Sequence, residues 1–132
     1  MAVTIVMQHV SQGYDMIINL AAGLDARAYR SQLPKSLKWI DVDLPGMINY
    51  KNEILQHEKP KCKYESAALD LADRKARLEL FQRLNSECKK AFVVTEGLII
   101  YLTNEQVAQL ATDLSSQDHF DAGSLILLLW LF

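Results

Sequence analysis

Acidic residues directly after apolar runs are the side chains of this sequence best placed to bind a ligand. They follow four separate runs and are Asp25, Asp43, Asp70 and Glu96, and Gly23 stands two positions before the first of them. Carboxylates accept hydrogen bonds from hydroxyl and amino groups, and glycine lets a backbone turn sharply beside a ligand. These residue types predict a site for a nucleoside-like molecule.

The segment around Gly23 is typical of the turn that binds a nucleotide between a strand and a helix. Its spacing, Ala21-x-Gly23-x-x-Ala26, also fits a degenerate dinucleotide fingerprint, for which one glycine is weak support. Asp25 at the start of the next helix would repel a pyrophosphate and suits a ligand that carries positive charge, such as a sulfonium with an ammonium. The alternative is a plain strand-to-helix turn that Asp25 caps.

Asp43 lies twenty positions after Gly23, where an acid at the end of the second strand commonly accepts both ribose hydroxyls. Asp41 points the same way in a strand and is the second candidate. The alternative is that both are solvated, or that one caps the helix beginning at Pro45.

Asp70 and Leu71 follow the third apolar run and could bind an adenine. The Asp70 carboxylate would accept from the exocyclic amine, while Leu71 would donate its backbone N–H and pack on the base. Taken alone, Asp70 is more simply a turn residue. Glu96 is flanked by apolar residues and needs a partner, as either a ligand-facing or a buried structural acid.

Apolar runs alternate with amphipathic stretches, which predicts an α/β fold with a parallel sheet covered by helices on both faces. The predicted strands cover residues 16–20, 37–42, 64–69, 91–95 and 124–132. In such sheets ligands bind beyond the carboxyl ends of the strands, so the acidic residues above should lie close together.

Three helix starts carry clear local signals. Pro45 suits a first helical position, Asp73 an N-cap, and Thr103 with Gln106 a capping box. The apolar residues of the first of these helices, expected on one inward face, are Met47, Ile48, Ile54 and Leu55.

Composition excludes several classes of protein. The 132 residues suffice for about one domain. The sequence has 14 basic and 16 acidic side chains, and the basic ones form no block. This argues against nucleic acid or anionic membranes as partners. The longest apolar run, residues 125–132, is far shorter than the roughly 18 residues of a membrane span. Cys62 and Cys88 match no metal spacing, and no leader is apparent, so we expect a cytoplasmic protein with reduced thiols and no metal.

Four motifs occur together in this sequence: INLAAGLDARAYR at residues 18–30, WIDVDLP at 39–45, DL at 70–71 and TEGLIIYL at 95–102. Their order and spacing resemble those of the leucine carboxyl methyltransferase-like family of S-adenosylmethionine-dependent methyltransferases, most closely its bacterial O-methyltransferase branch. The resemblance runs from about residue 17 to residue 114.

The resemblance implies a class I, Rossmann-like methyltransferase sheet that binds S-adenosylmethionine. By motif position, Gly23 would lie beside the methionine part and Asp43 would hold the ribose. Asp70 and Leu71 would hold the adenine, and Glu96 the amino-acid end or the region of methyl transfer. The implied reaction is a direct displacement that methylates an oxygen or carboxylate of a small molecule or protein, and no catalytic base is assigned.

Two departures from the family pattern predict that residues 1–132 form a single but partial domain, truncated at both ends. Only residues 1–15 precede the first strand, where the family has helices and a basic residue that holds the cofactor carboxylate. The chain also stops within the apolar residues 125–132, where the family continues with more strands. We expect this end to be exposed or to self-associate with another copy.

Two other functions remain open from the sequence. One is a non-catalytic remnant or interaction module with the same fold. The other, less favoured, is a nicotinamide-dependent oxidoreductase, against which Asp25 and the absence of further glycines argue.

Overall fold

The computed structural model describes residue 8 and residues 10–95 and 102–121. Its strands are β1 (Met16–Leu20), β2 (Lys38–Asp43), β3 (Lys63–Ala68), β4 (Ala91–Thr95) and β5 (Phe120–Asp121). The helices between them are α1 (Arg27–Arg30), α2 (Pro45–Ile54), α3 (Arg74–Ser86) and α4 (Asn104–Ser115).

All neighbouring strands are parallel, in the order β3-β2-β1-β4-β5. The chain runs outward from β1 to β3 and then returns to the other side of β1 with β4. The direction of winding therefore changes between β1 and β4, which is where ligands bind in open parallel sheets. The predicted α/β architecture is confirmed.

Each face of the sheet carries its own apolar cluster, because strands covered on both sides bury successive side chains in opposite directions. Met16, Ile18 and Leu20 of β1 point to the face covered by α3 and α4. Ile17 points to the face that holds α1 and Tyr14.

The local helix signals behave as predicted. Pro45 occupies the first turn of α2, and the Asp73 side chain accepts from the backbone N–H of Ala76 at the start of α3. Thr103 and Gln106 form the reciprocal capping box of α4. These contacts join residues three apart or less, so the sequence alone specifies them.

Two strands are shifted by one residue from their predicted positions. β1 and β4 cover the predicted residues, whereas β2 begins and ends one residue later and β3 one residue earlier. The fifth strand begins at Phe120, and the predicted strand over residues 124–132 lies outside the described residues.

The predicted inward face of α2 is wrong in part. Ile48 and Leu55 are buried, but Met47 is 38% and Ile54 52% exposed. Lys51 takes the inward position between the two buried residues and is 1% exposed. A charged residue displaces apolar ones from the inward face because it has a buried partner on the sheet, described below.

No helix in the described part of the chain is long and apolar enough to cross a membrane.

Candidate functional site

The carboxyl ends of β1, β2 and β3 bring predicted site residues to the same end of the sheet. The loop of residues 21–26 follows β1, Asp43 ends β2, and Asp70 follows β3 by two residues. Glu96 follows β4 directly and lies outside the described residues. The last described residue of β4 is Thr95, whose Oγ1 is buried without a hydrogen-bond partner within the described chain.

The β1–α1 loop needs unusual backbone angles at two positions. Ala21 has φ of 54° and Gly23 has φ of 55°, both in the left-handed region. A Cβ built on Gly23 would meet nothing within 4 Å, so glycine serves the backbone angle rather than a tight contact inside the protein. The space beside Gly23 is open, as a ligand site requires.

Asp43 joins this loop to the end of β2. Its Oδ2 accepts from the Gly23 N–H at 2.8 Å and its Oδ1 from the Leu44 N–H at 2.8 Å. Each carboxylate oxygen can accept more than one hydrogen bond, so both keep acceptor capacity after these contacts. The side chain is 7% exposed and therefore held in a fixed position.

Asp41, the second candidate for the ribose, is excluded by its surroundings. It is 0% exposed. Oδ2 accepts from Lys51 Nζ at 2.6 Å and from the Tyr64 hydroxyl at 2.6 Å. Oδ1 accepts from Trp39 Nε1 at 2.8 Å and from Asn19 Nδ2 at 3.2 Å. Four protein donors replace the water of this carboxylate, so Asp41 is a structural acid.

Asp25 caps the turn, which was the alternative interpretation of the sequence. Its Oδ1 accepts from the Arg27 backbone N–H at 3.0 Å, and the carboxylate also pairs with the Arg27 guanidinium. Burial alone would raise the pKa of the Asp25 carboxyl, but hydrogen bonds from Arg27 and Asn19 outweigh burial and hold that pKa below its usual value. The carboxylate is thus neutralised within the protein, and the expected attraction for a positively charged ligand loses its basis.

The β3–α3 loop is also fixed by hydrogen bonds. Asp70 is exposed, and its Oδ1 accepts from the Ala72 N–H at 2.9 Å. Leu71 is 0% exposed within the α3–α4 cluster, so its side chain does not pack on a base and only its backbone N–H is left for a ligand. The carbonyl of Leu71 accepts from the buried Arg77 at 2.8 Å.

Several polar residues that shape this edge were missed by the sequence analysis. Asn19 and Lys51 hold Asp41, Arg27 holds Asp25, and Arg77 holds the Leu71 carbonyl. The available signal was polarity in an apolar setting. Asn19 interrupts the buried strand MIINL, and Lys51 stands at an inward spacing from Ile48 and Leu55.

Within residues 8, 10–95 and 102–121, no group of three or more His, Cys, Asp and Glu side chains is arranged to hold a metal ion.

Comparison with known proteins places this geometry in a family. The family model for leucine carboxyl methyltransferase matches residues 3–115. A protein of Parafrankia sp. (strain EAN1pec), named as a candidate S-adenosyl-L-methionine-dependent methyltransferase, is 30% identical over 105 residues, which cover 78% of this chain and 34% of that protein. One of the same description from Mycobacterium bovis is 32% identical over 100 residues, covering 74% of this chain and 30% of the relative. The chain thus spans about a third of the length of these relatives.

A solved structure supports the fold. The methyltransferase domain of bacterial CtHen1-CN matches with a TM-score of 0.59 at 18% identity, over 84% of this chain and 55% of that one. At this identity the likeness concerns the fold alone.

Proposed function

Because the chain belongs to the leucine carboxyl methyltransferase family, we propose that it forms the cofactor-binding part of an S-adenosylmethionine-dependent methyltransferase. The observation that carries this proposal is the position of Asp43. It ends the strand beside the switch point, is fixed by the Gly23 N–H, and keeps acceptor capacity on both oxygens.

The ribose of the cofactor suits Asp43 because two neighbouring hydroxyls match two carboxylate oxygens. Gly23 would lie beside the methionine part, where a Cβ would project into the open space noted above. The hydrogen bond from the Gly23 N–H to Asp43 joins the two residues without a ligand, which would lower the entropy lost on binding.

The adenine would lie against the β3–α3 loop. Asp70 Oδ2 would accept from the exocyclic amine, since Oδ1 is engaged by Ala72, and the Leu71 N–H would donate to the ring. For Glu96 we keep the amino-acid end of the cofactor or the region of methyl transfer as the proposed role.

When bound, the cofactor supplies a methyl group on a sulfonium, which an acceptor oxygen can displace directly. The residues of this chain would then act by positioning and by excluding water rather than by covalent chemistry. We propose a small-molecule or protein carboxylate or hydroxyl as the acceptor, without a catalytic base. A cytoplasmic location suits the free thiols of Cys62 and Cys88.

The nicotinamide alternative is disfavoured by the shape of the β1–α1 connection. A dinucleotide pyrophosphate binds at the N-terminus of a helix, where several backbone N–H groups are free. Here α1 has only four residues, and the N–H of its first residue, Arg27, already donates to Asp25.

Titration calorimetry with S-adenosylhomocysteine tests the proposal. We expect binding to the wild-type chain, weakened about 5- to 150-fold in Asp43→Ala, since losing hydrogen bonds to a charged acceptor costs about 1–3 kcal/mol. Asp118→Asn, at an exposed position remote in sequence from the site, is the control for charge and should bind like the wild type.

The proposal would be contradicted if a cooperatively folded wild-type chain gave no binding heat at millimolar ligand. Equal affinity of the wild type and Asp43→Ala would also contradict it. Competition by NAD at comparable concentration would favour the oxidoreductase. Binding without methyl transfer to any of a broad set of acceptors would favour a non-catalytic module.

A further inference from the structure

The loop of residues 21–26 is tied to β2 at three points. The Ala22 N–H donates to the Val42 carbonyl at 3.3 Å, and the Gly23 N–H donates to Asp43. The third tie runs through side chains, from Asp25 to Asn19 and on to Asp41.

Asn19 is the link in that third tie. Its Nδ2 donates to Asp25 Oδ2 at 2.9 Å and to Asp41 Oδ1 at 3.2 Å, so both N–H groups of the amide are used. The strand register places Asn19 directly opposite Asp41, and Asn19 is 2% exposed. The contact with Asp41 is buried, and the contact with Asp25 is partly buried.

An amide suits this place for an electrostatic reason. Asp25 and Asp41 are both carboxylates, and two like charges near one buried point repel. A primary amide has two N–H donors on one nitrogen and no charge, so it can join two acceptors without adding to either charge. Each acid keeps its own cation, Arg27 for Asp25 and Lys51 for Asp41.

We propose that Asn19 is a positioning residue for the cofactor site. It joins the β1–α1 loop to Asp41, which its buried donors hold in a fixed position. Asn19 lies within β1, before the loop, and need not touch the ligand. Its part is to hold Asp25, and through Asp25 the turn that presents Gly23. The effect on ligand affinity rests on the proposed function, whereas the effect on the loop does not.

The test compares two variants that each remove one donor to Asp41, of which only one also cuts the link to the loop. Asn19→Leu keeps the side-chain size, removes one of the four donors to Asp41 and cuts the link to the loop. Tyr64→Phe also removes one of the four donors to Asp41, but Tyr64 has no hydrogen bond to the loop in the described structure. Any loss of stability that comes only from removing a donor to Asp41 is therefore present in both variants.

Hydrogen exchange of the Ala22, Gly23 and Asp25 amides is the first measurement, because all three donate hydrogen bonds in the folded loop. We expect the amides of the loop to exchange at least tenfold faster in Asn19→Leu than in Tyr64→Phe. The β4 amides should exchange at the same rate in the two variants. Calorimetry with S-adenosylhomocysteine is the second. We expect Kd to rise about tenfold in Asn19→Leu and less than twofold in Tyr64→Phe.

Equal exchange of the loop amides in the two variants would overturn the proposal. If Asn19→Leu does not fold, Asn19→Ser, whose single short donor cannot bridge both acids, takes its place with the same expected direction. If the wild-type chain does not bind S-adenosylhomocysteine, the proposed function fails, and the exchange data alone still decide the role of Asn19.

Discussion

Two aspartates of β2, on the same side of one strand, have different surroundings. β1 ends at Leu20 opposite Val42, so Asp41 still has a β1 neighbour, Asn19, whereas Asp43 extends past the end of β1. Asp41 is therefore enclosed by side chains, and Asp43 faces the loop that follows β1. A step of two residues along the strand separates a structural acid from a candidate ligand-binding one.

Ala21 provides a prediction at this scale, because its φ of 54° is unfavourable for a residue with a Cβ. The left-handed region costs an L-residue about 1–2 kcal/mol, and glycine loses about 0.5–1 kcal/mol through its greater freedom when unfolded. We expect Ala21→Gly to raise the free energy of unfolding by about 0.5–1 kcal/mol, measured by urea denaturation.

The neighbouring Ala22→Gly is the matched control, since Ala22 is buried and is not among the residues with positive φ. We expect it to lower stability. Loss of stability in both variants would show that the Ala21 backbone carries no strain.

The pairing of α3 with α4 depends on a buried charge pair. Arg77 is 2% and Asp113 3% exposed, with Arg77 Nη2 donating to Asp113 Oδ2 at 2.7 Å. Arg77 also donates to the Leu71 carbonyl. The two helices thus hold each other and the loop proposed to bind adenine.

Asp113 should make stability depend on pH. Burial alone would raise the pKa of its carboxyl, but hydrogen bonds from Arg74 and Arg77 outweigh burial and hold that pKa below its ordinary value. A carboxyl with a lowered pKa stabilises the fold above its unfolded pKa of about 3.9 and loses that contribution as the pH falls through the folded value. The wild type should therefore lose stability below about pH 4.

We expect Asp113→Asn to cost on the order of 3 kcal/mol at pH 7, because it leaves a buried arginine without its carboxylate. Its stability should then decline less steeply than that of the wild type between pH 4 and pH 2, as measured by urea unfolding at each pH. Asp118→Asn, a change of the same charge at an exposed position, serves as the control. An identical acid decline in the wild type and Asp113→Asn would contradict this role.

At the scale of the molecule, one sheet separates two apolar clusters, and each holds one of the two cysteines. Cys88 lies in the cluster under α3 and α4, and Cys62 packs against the cluster on the opposite face. The same strands contribute to both clusters, so neither can lose its packing while the other stays intact. We therefore expect one cooperative unfolding transition.

The cysteines report on that prediction. Burial raises the pKa of both thiols to about 11, so both should react slowly at pH 8 in the folded protein. We expect Cys62→Ser and Cys88→Ser, each with one remaining thiol, to show thiol exposure at the same urea concentration as loss of circular dichroism in that variant. Labelling well before the dichroism change in only one variant would mean that the two faces unfold separately.

The sequence by itself determined the α/β fold, the central strands and the starts of α2, α3 and α4. These features rest on apolar runs and on contacts between residues a few positions apart, such as Thr103 with Gln106. The position of the acidic residues at the carboxyl ends of the strands follows from the same periodicity. Their proposed binding roles stay predictions until a ligand is measured.

Only the tertiary structure decided what each buried polar residue does. Lys51 and Asp41 are 10 residues apart, Asn19 and Asp41 22, and Arg77 and Asp113 36. No local pattern reveals which distant partner a charge will meet, and that partner decides whether burial is tolerated. The structure for this reason assigned Asp41 to the core, Asp25 to Arg27 and the Leu71 side chain to the cluster under α3 and α4, and it joined Asp43 to the Gly23 N–H.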